Sequence, residues 1–474
     1  LGATAVRKGL QDVAGFNTGI LKFDENKENE SHSMGAIITS DFNTGWMHGE
    51  IELATLSDTD STNLVGTELV TNGTFDTDVS NWSPTGDSTF TQASGKGVLT
   101  LTSTNGFVQS NVGMSLIAGK TYTYSIYWDE SSTHSNFYMR FMDSTGSTTK
   151  QLYFNSLHQG TTCSVSYTPS VSGTYYVGFM GYYWGGGAGG QTVIVDNASV
   201  RIAEADRSVN GNGLQVFGTV QKNPVATGAD LVAYSGFTSG QFTGTRLEQP
   251  YNSDLAFGDG NFSISFWLKD LHDSTDLMGI GKRGVDLAWC FYKDAGGGLR
   301  FTYSTNGTGY SNLEYQFGDS STLPNWTNVV VTRVNHVITM YVNGTKGVSL
   351  DNMGTNAIYA STSPFVLGAG NTNNNIVGTP PSYALLRISK TAASPKQIKK
   401  MYNDEKVLFQ ENAKATLYGT SDAVTALAYD EDTNLLHVGT SDGRSVFQGL
   451  RRVDNTTDAV TTAISASNGI VVEG

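Results

Sequence analysis

Carboxylates in a short run and aromatic rings set against glycine are the two patterns in this chain with chemistry to offer. Hydrolysis of a glycosidic bond needs two carboxyl groups facing each other across the sugar. The run KDLHDSTDLMG carries Asp270, Asp273 and Asp276 at spacing i, i+3, i+6. A strand presents only alternate residues on one face, so this trio reads as a loop, solvated or holding a cation, and not as a catalytic pair. The segment GFMGYYWGGGAGGQ places Tyr182, Tyr183 and Trp184 against a glycine-rich loop. In an extended strand Tyr182 and Trp184 point opposite to Tyr183, so at least one ring faces out, where it can stack on the apolar face of a pyranose. The competing reading has alternate rings filling a core. Trp128 follows the buried face of KTYTYSIYW and reads as core, with a second reading in which it reaches a cleft and joins the other three as a ligand-binding ring. The seven histidines are scattered, with no HExxH pattern, nucleophile elbow, phosphate loop or Cys-x-x-Cys. The expectation is a protein that recognises and is not an enzyme.

Composition points to β-structure. The chain has 474 residues, 55 of them glycine, with 15% charged and 11% aromatic residues; its length fits roughly three domains. The net charge of -14 argues against nucleic acid and anionic membrane surfaces, which need clustered Lys and Arg. No apolar stretch is long enough to insert into a membrane and no signal peptide is visible. Cys163 and Cys290 fall in different segments and read as small buried hydrophobes, not a disulfide. The chain starts without Met, which fits a piece of something longer.

The elements that position these residues follow from period-two alternation. GDGNFSISFWLKD, from Gly258, and LPNWTNVVVTRVNHVITMYVNGTKG, ending at Gly347, alternate apolar and polar residues as half-buried strands do. Asn343-Gly344 supplies a turn that favours positive φ. These residues resemble the laminin G-like, concanavalin A-type jelly rolls, a resemblance that implies sugar or protein binding by residues 231–393, with Trp267 and Trp326 in the core. The family includes glucanases, whose carboxylates lie on one strand as E-x-D-x-x-E; no such run occurs here.

Residues 64–203 form another strand-rich block. In KTYTYSIYW, Tyr122, Tyr124, Ile126 and Trp128 share one face while Thr121, Thr123 and Ser125 share the other, the mark of half-buried sheet. Asn72, Gly73, Phe75 and Asp76 near its start, and Val195, Asp196 and Asn197 near its end, resemble carbohydrate-binding modules of the family 4 and 9 type. That resemblance implies a structural calcium between the first and last strands, held by Asp76 and Asp196 with backbone carbonyls near Asn72. The competing reading is that both aspartates satisfy turn amides.

SPKQIKKMYNDEKVLF predicts an amphipathic helix within 394–411, with Ser394 as N-cap, Pro395 at the first turn, and Ile398, Met401, Tyr402 and Leu408 on one stripe. Residues 204–230 read as a strand, through Leu214, Val216 and Val220, of a host domain whose remainder is 1–63 and 412–474. The short strands and Asp-Asn or Asp-Gly turns of those ends resemble β-propeller blades. SDFNTGWM at Ser40–Met47 departs from the Asp-box spacing of sialidase propellers and reads as a blade turn.

The expected fold is therefore all-β, with two sandwiches inserted in a propeller-like host and one short helix after the second. The whole arrangement resembles tail-fibre and related virion proteins of bacteriophages. It implies a non-enzymatic tail appendage, exposed outside the host cell, that is homo-oligomeric, contacts other tail proteins and binds host-surface glycans. Alternatives are a purely structural tail protein and a secreted bacterial adhesin.

Overall fold

The computed structural model describes residues 20–24, 34–38 and 45–460, the last span apart from 56–58, 87, 103–104, 183–188, 209, 239–243, 270–276, 284–285, 294–297, 318–324, 351–355, 369–380 and 422. The protein is all-β, as expected, and Pro395–Glu405 is the one α-helix among the described residues.

The first sandwich faces two antiparallel sheets. One runs Thr148–Asn155, Asn136–Asp143, Gly173–Tyr182, Asn105–Ser110 and Trp82–Thr85. The other is built from Thr89–Ala93, Lys96–Thr100, Thr192–Glu204, Thr121–Trp128 and Thr161–Tyr167. Alternation decides what lies between them: Tyr122, Tyr124, Ile126 and Trp128 from one sheet meet Phe137, Met139, Phe141, Val177 and Phe179 from the other. The second face of Thr121–Trp128 is not solvated as expected. Thr123 and Ser125 are buried, because Gln215 lies over them and donates from Nε2 to the Thr123 carbonyl at 3.2 Å and to Ser125 Oγ at 3.1 Å.

Gln215 belongs to Leu214–Pro224, the strand expected in a host domain. It is instead a wall of the jelly roll: Leu214, Val216 and Val220 all point into that core. Its start pairs with Glu204 and Ala203 of the first sandwich, and further along it pairs with Arg246–Gln249, Leu64–Gly66 and Val232–Ser235. One strand thus makes the two sandwiches share a continuous sheet. Gly66 is required there, because a Cβ on it would sit 1.7 Å from the Val216 carbonyl oxygen.

The jelly roll packs Ser382–Ser389, Phe262–Lys269, Thr327–Val334, Val337–Val342 and Thr345–Leu350 against Arg246–Gln249, Phe365–Leu367, Leu277–Arg283, Leu287–Lys293, Gly298–Tyr303 and Ser311–Gln316. Asn343 and Gly344 both take positive φ, 50° and 70°, and form the expected turn, here between Val337–Val342 and Thr345–Leu350. Ile51–Thr55, from the amino-terminal segment, adds to the edge of Ser382–Ser389.

The helix forms where its signals stand. Ser394 caps it in a reciprocal capping box with Gln397, and Ile398, Met401 and Glu405 are buried. It covers the outer face of the jelly roll at Trp267, whose ring stacks on Phe409 at 4.3 Å. Trp267 is buried as expected, but under the helix and not between the sheets; Trp326 is half-buried beside it, 4.9 Å from Phe409. Ala426–Asp430, Leu435–Thr440, Gly443–Gln448 and Arg451–Thr456 form a separate four-stranded meander, and Val438, Phe447 and Leu450 join the helix in one apolar cluster. Cys163 and Cys290 are both buried and are not joined in a disulfide.

Candidate functional site

Of the four aromatic candidates, Trp128 is fully buried and stacks on Phe137 at 5.1 Å. It is a core residue, not a ligand platform, because Asn136–Asp143 lays Phe137 directly over it. Tyr182 ends the strand Gly173–Tyr182, paired with Asn105. Tyr183 and Trp184 lie outside the described residues, as do Asp270, Asp273 and Asp276.

The structure brings together a different aromatic set, on the outer face of the sheet that contains Asn136–Asp143. Register places Tyr153 opposite Tyr138, Tyr138 opposite Met180 and Met180 opposite Phe107, so one row crosses four strands. A second row, Gln151, Arg140, Gly178 and Gln109, runs beside it. Tyr138 and Tyr153 are 4.9 Å apart with planes inclined by 49°. Tyr153 is 43% exposed, and its hydroxyl donates to Asn136 Oδ1 at 2.6 Å, which holds the ring upright.

Arg140 lies across this face with its guanidinium carbon 4.4 Å from the centre of the Phe107 ring. Gly178 makes that possible, since a Cβ there would come within 2.6 Å of Phe107. Nη1 of Arg140 donates to Thr148 Oγ1 at 3.5 Å and Nη2 to the Met180 sulfur. Its Nε has no hydrogen-bond partner, and burial pulls its pKa below the usual arginine value. Rings that stack beside a fixed cation and amide side chains are the chemistry of a polar, ring-shaped ligand with apolar faces. The motif NFYMRFMD hid this arrangement, because apolar residues on both faces of a strand leave no alternation that separates core from platform.

Asp76 and Asp196 are near neighbours. Burial, first, and the Asp76 and Asp129 carboxylates push the Asp196 carboxyl above its ordinary range, against Lys96. Asp76 Oδ2 accepts from Thr74 Oγ1 at 2.8 Å, and Asp196 Oδ1 from the Asn197 amide at 2.7 Å. The amide of Ala198 donates to the Gly73 carbonyl at 2.8 Å, which ties the start of this sandwich to its last strand. Among the described residues no group of three or more His, Cys, Asp or Glu is placed to hold a metal ion. Two hard oxygen donors fit calcium only with backbone carbonyls completing the shell, and the Asn72 carbonyl already accepts from Trp82 Nε1 at 3.1 Å. No helix among the described residues is long and apolar enough to cross a membrane.

Residues 243–399 match the family model described as the concanavalin A-like lectin/glucanases superfamily. The jelly roll is thus a concanavalin A-like domain, and the match covers about a third of the chain. No curated protein matches the chain. Among solved structures it is similar to the binding domain of Botulinum neurotoxin DC in complex with rat synaptotagmin II, at 16% identity and a TM-score of 0.36 over 57% of this chain and 66% of that one. The same binding domain in complex with SialylT matches at 16% identity, TM-score 0.36, with 57% and 66% covered. The Botulinum neurotoxin serotype D binding domain matches at 16% identity and TM-score 0.36, with 52% and 60% covered. The chain therefore spans less than two thirds of these structures.

Proposed function

We propose that this protein binds carbohydrate without catalysis, through the outer face of the first sandwich, as a tail appendage of a bacteriophage virion that contacts host-surface glycans. The observation that carries the binding reading is the row Tyr153, Tyr138, Met180 and Phe107 with Arg140 alongside. A shallow face of this kind binds one sugar chain weakly, and several copies in a homo-oligomer would multiply affinity by avidity. The lectin side of the family matched by residues 243–399 supports the same class of ligand for the second sandwich. The tail role rests on the arrangement of modules along the sequence, and the fibre would contact other tail proteins through its remaining segments. A structural calcium at Asp76 and Asp196 belongs to this reading.

The test is a glycan array probed with the full chain and with the Tyr138→Ala, Tyr153→Ala double variant. Glycan signal that disappears in the double variant, with an unchanged melting temperature, supports the reading. No signal from the wild-type chain on any glycan, or release of reducing sugar, overturns it.

A further inference from the structure

One face of the jelly-roll interior ends in polar groups that the carbohydrate reading does not use. Phe365 pairs with Gln249 on one side and with Lys282 on the other, and Lys282 pairs in turn with Trp289. Cross-strand partners share a face, and Trp289 and Phe365 point into the core, so Gln249 and Lys282 do as well. Neighbouring strands lie about 4.8 Å apart, which leaves Gln249 and Lys282 flanking the Phe365 ring within reach of a lysine side chain. The Lys282 ammonium stands 5.1 Å from the centre of the Tyr251 ring, two residues along the chain from Gln249.

Three donors in this row lack hydrogen-bond partners: Lys282 Nζ, both hydrogens of Gln249 Nε2 and Trp289 Nε1. Lys282 and Gln249 are each 1% exposed and Trp289 is 0% exposed. Gln249 Oε1 is the lone unpartnered acceptor of that row. Asp286 acts on Lys282 through space, but its Oδ1 is taken by the hydroxyls of Ser361 and Ser363. A positive charge and donors therefore stand in a dry interior without a counter-charge in contact among the described residues, a state that costs several kcal/mol unless a negative group fills it.

We infer that Lys282, Gln249 and Trp289 form a buried receptor for a small monovalent anion of halide size. Donors outnumber acceptors, which selects an anion over a cation. One uncompensated ammonium selects a single negative charge, and near-zero exposure excludes a bulky ligand. Burial pulls the Lys282 ammonium down to about 8, so at neutral pH the amine still carries the charge that an anion would meet.

Bromide is the probe. Crystals of the full chain soaked in sodium bromide should show an anomalous peak in hydrogen-bond contact with Lys282 Nζ. In solution, bromide at fixed ionic strength against sodium sulfate should raise the melting temperature of the wild-type chain by about 2 °C or more. Lys282→Met removes a buried charge and keeps the apolar stem, so it folds, and it should lose this bromide-specific shift. The inference is overturned if wild type and Lys282→Met respond identically to bromide, or if the anomalous map shows no bromide at Nζ.

Discussion

Glu405 and Arg387 meet as a buried ion pair between the last turn of the helix and the jelly-roll sheet. The Glu405 side chain is fully excluded from solvent; its Oε2 accepts from Arg387 Nη2 at 3.0 Å and from Trp267 Nε1 at 2.8 Å, while Oε1 accepts from the Trp46 amide at 2.9 Å and from Arg387 Nη1. Arg387 also donates to the Leu385 carbonyl at 3.2 Å and to Ser265 Oγ at 3.3 Å. A carboxylate at a helix C-terminus opposes the helix dipole, so the guanidinium is what makes this position tolerable. The pair joins an amino-terminal residue, two jelly-roll strands and the helix at one point.

Breaking that pair on one side leaves an uncompensated buried charge. Glu405→Gln should lower unfolding stability by about 3–5 kcal/mol, read from urea denaturation. Arg387→Met combined with Glu405→Leu should recover much of the loss, because the two effects are coupled. Additive losses in the double variant would show that the two residues act independently.

The tyrosine pair makes a graded prediction for binding. Aromatic contacts are worth about 0.5–1.5 kcal/mol beyond the area they bury. Tyr138→Ala or Tyr153→Ala alone should therefore weaken affinity for a bound glycan about tenfold, measured by calorimetry on the full chain. Trp128→Phe should leave affinity unchanged while lowering the melting temperature, since Trp128 packs on Phe137 inside the core. A glycan affinity that follows Trp128 and ignores both tyrosines would move the site elsewhere.

Local signals were legible where a single stretch of chain carries them. Asn343-Gly344 makes its turn because both residues accept positive φ, and Ser394-Pro395 starts the helix because cap and ring geometry act within one turn. What the sequence did not disclose depends on partners far along the chain. Tyr138 and Tyr153 become neighbours through strand register, which alternation within either strand does not specify. Leu214, Val216 and Val220 were recognisable as a strand, yet their assignment to the jelly roll follows from pairing with residues 246–248 and 64–66. Trp267 reads as core from its neighbours; that its cover is a helix more than a hundred residues later is a tertiary fact.

Asp206 ties the first sandwich's exit to the amino-terminal strand Ile51–Thr55, accepting from the Ala54 and Ser208 amides at 2.9 Å each and from the Asn212 amide at 3.1 Å. Burial outweighs these hydrogen bonds and pushes its carboxyl up to about 6. The folded state therefore holds a proton more tightly than the unfolded one. The stability this group contributes is full below about 4 and is lost as pH rises through 6. Relative to Asp206→Asn, the wild-type urea midpoint should climb as pH falls from 7 to 4. Parallel profiles for the two proteins would sink the assignment.

Calcium at the first sandwich is open to a direct measurement. Asp76 and Asp196 lie close enough for one carboxylate to raise the other's pKa, and a divalent cation held between them would remove that repulsion and favour the ionised form. We propose that calcium binds here and ties the segment around Asp76 to the strand Thr192–Glu204. Addition of millimolar calcium to chelator-treated protein should then raise the melting temperature, by mass action on the folded state, and Asp196→Asn should abolish the rise. Asp196→Asn keeps an oxygen acceptor for the Asn197 amide, so its fold survives and the comparison stays clean. If both proteins melt at the same temperature with and without calcium, the two aspartates serve the Thr74 hydroxyl and the Asn197 amide and hold no metal.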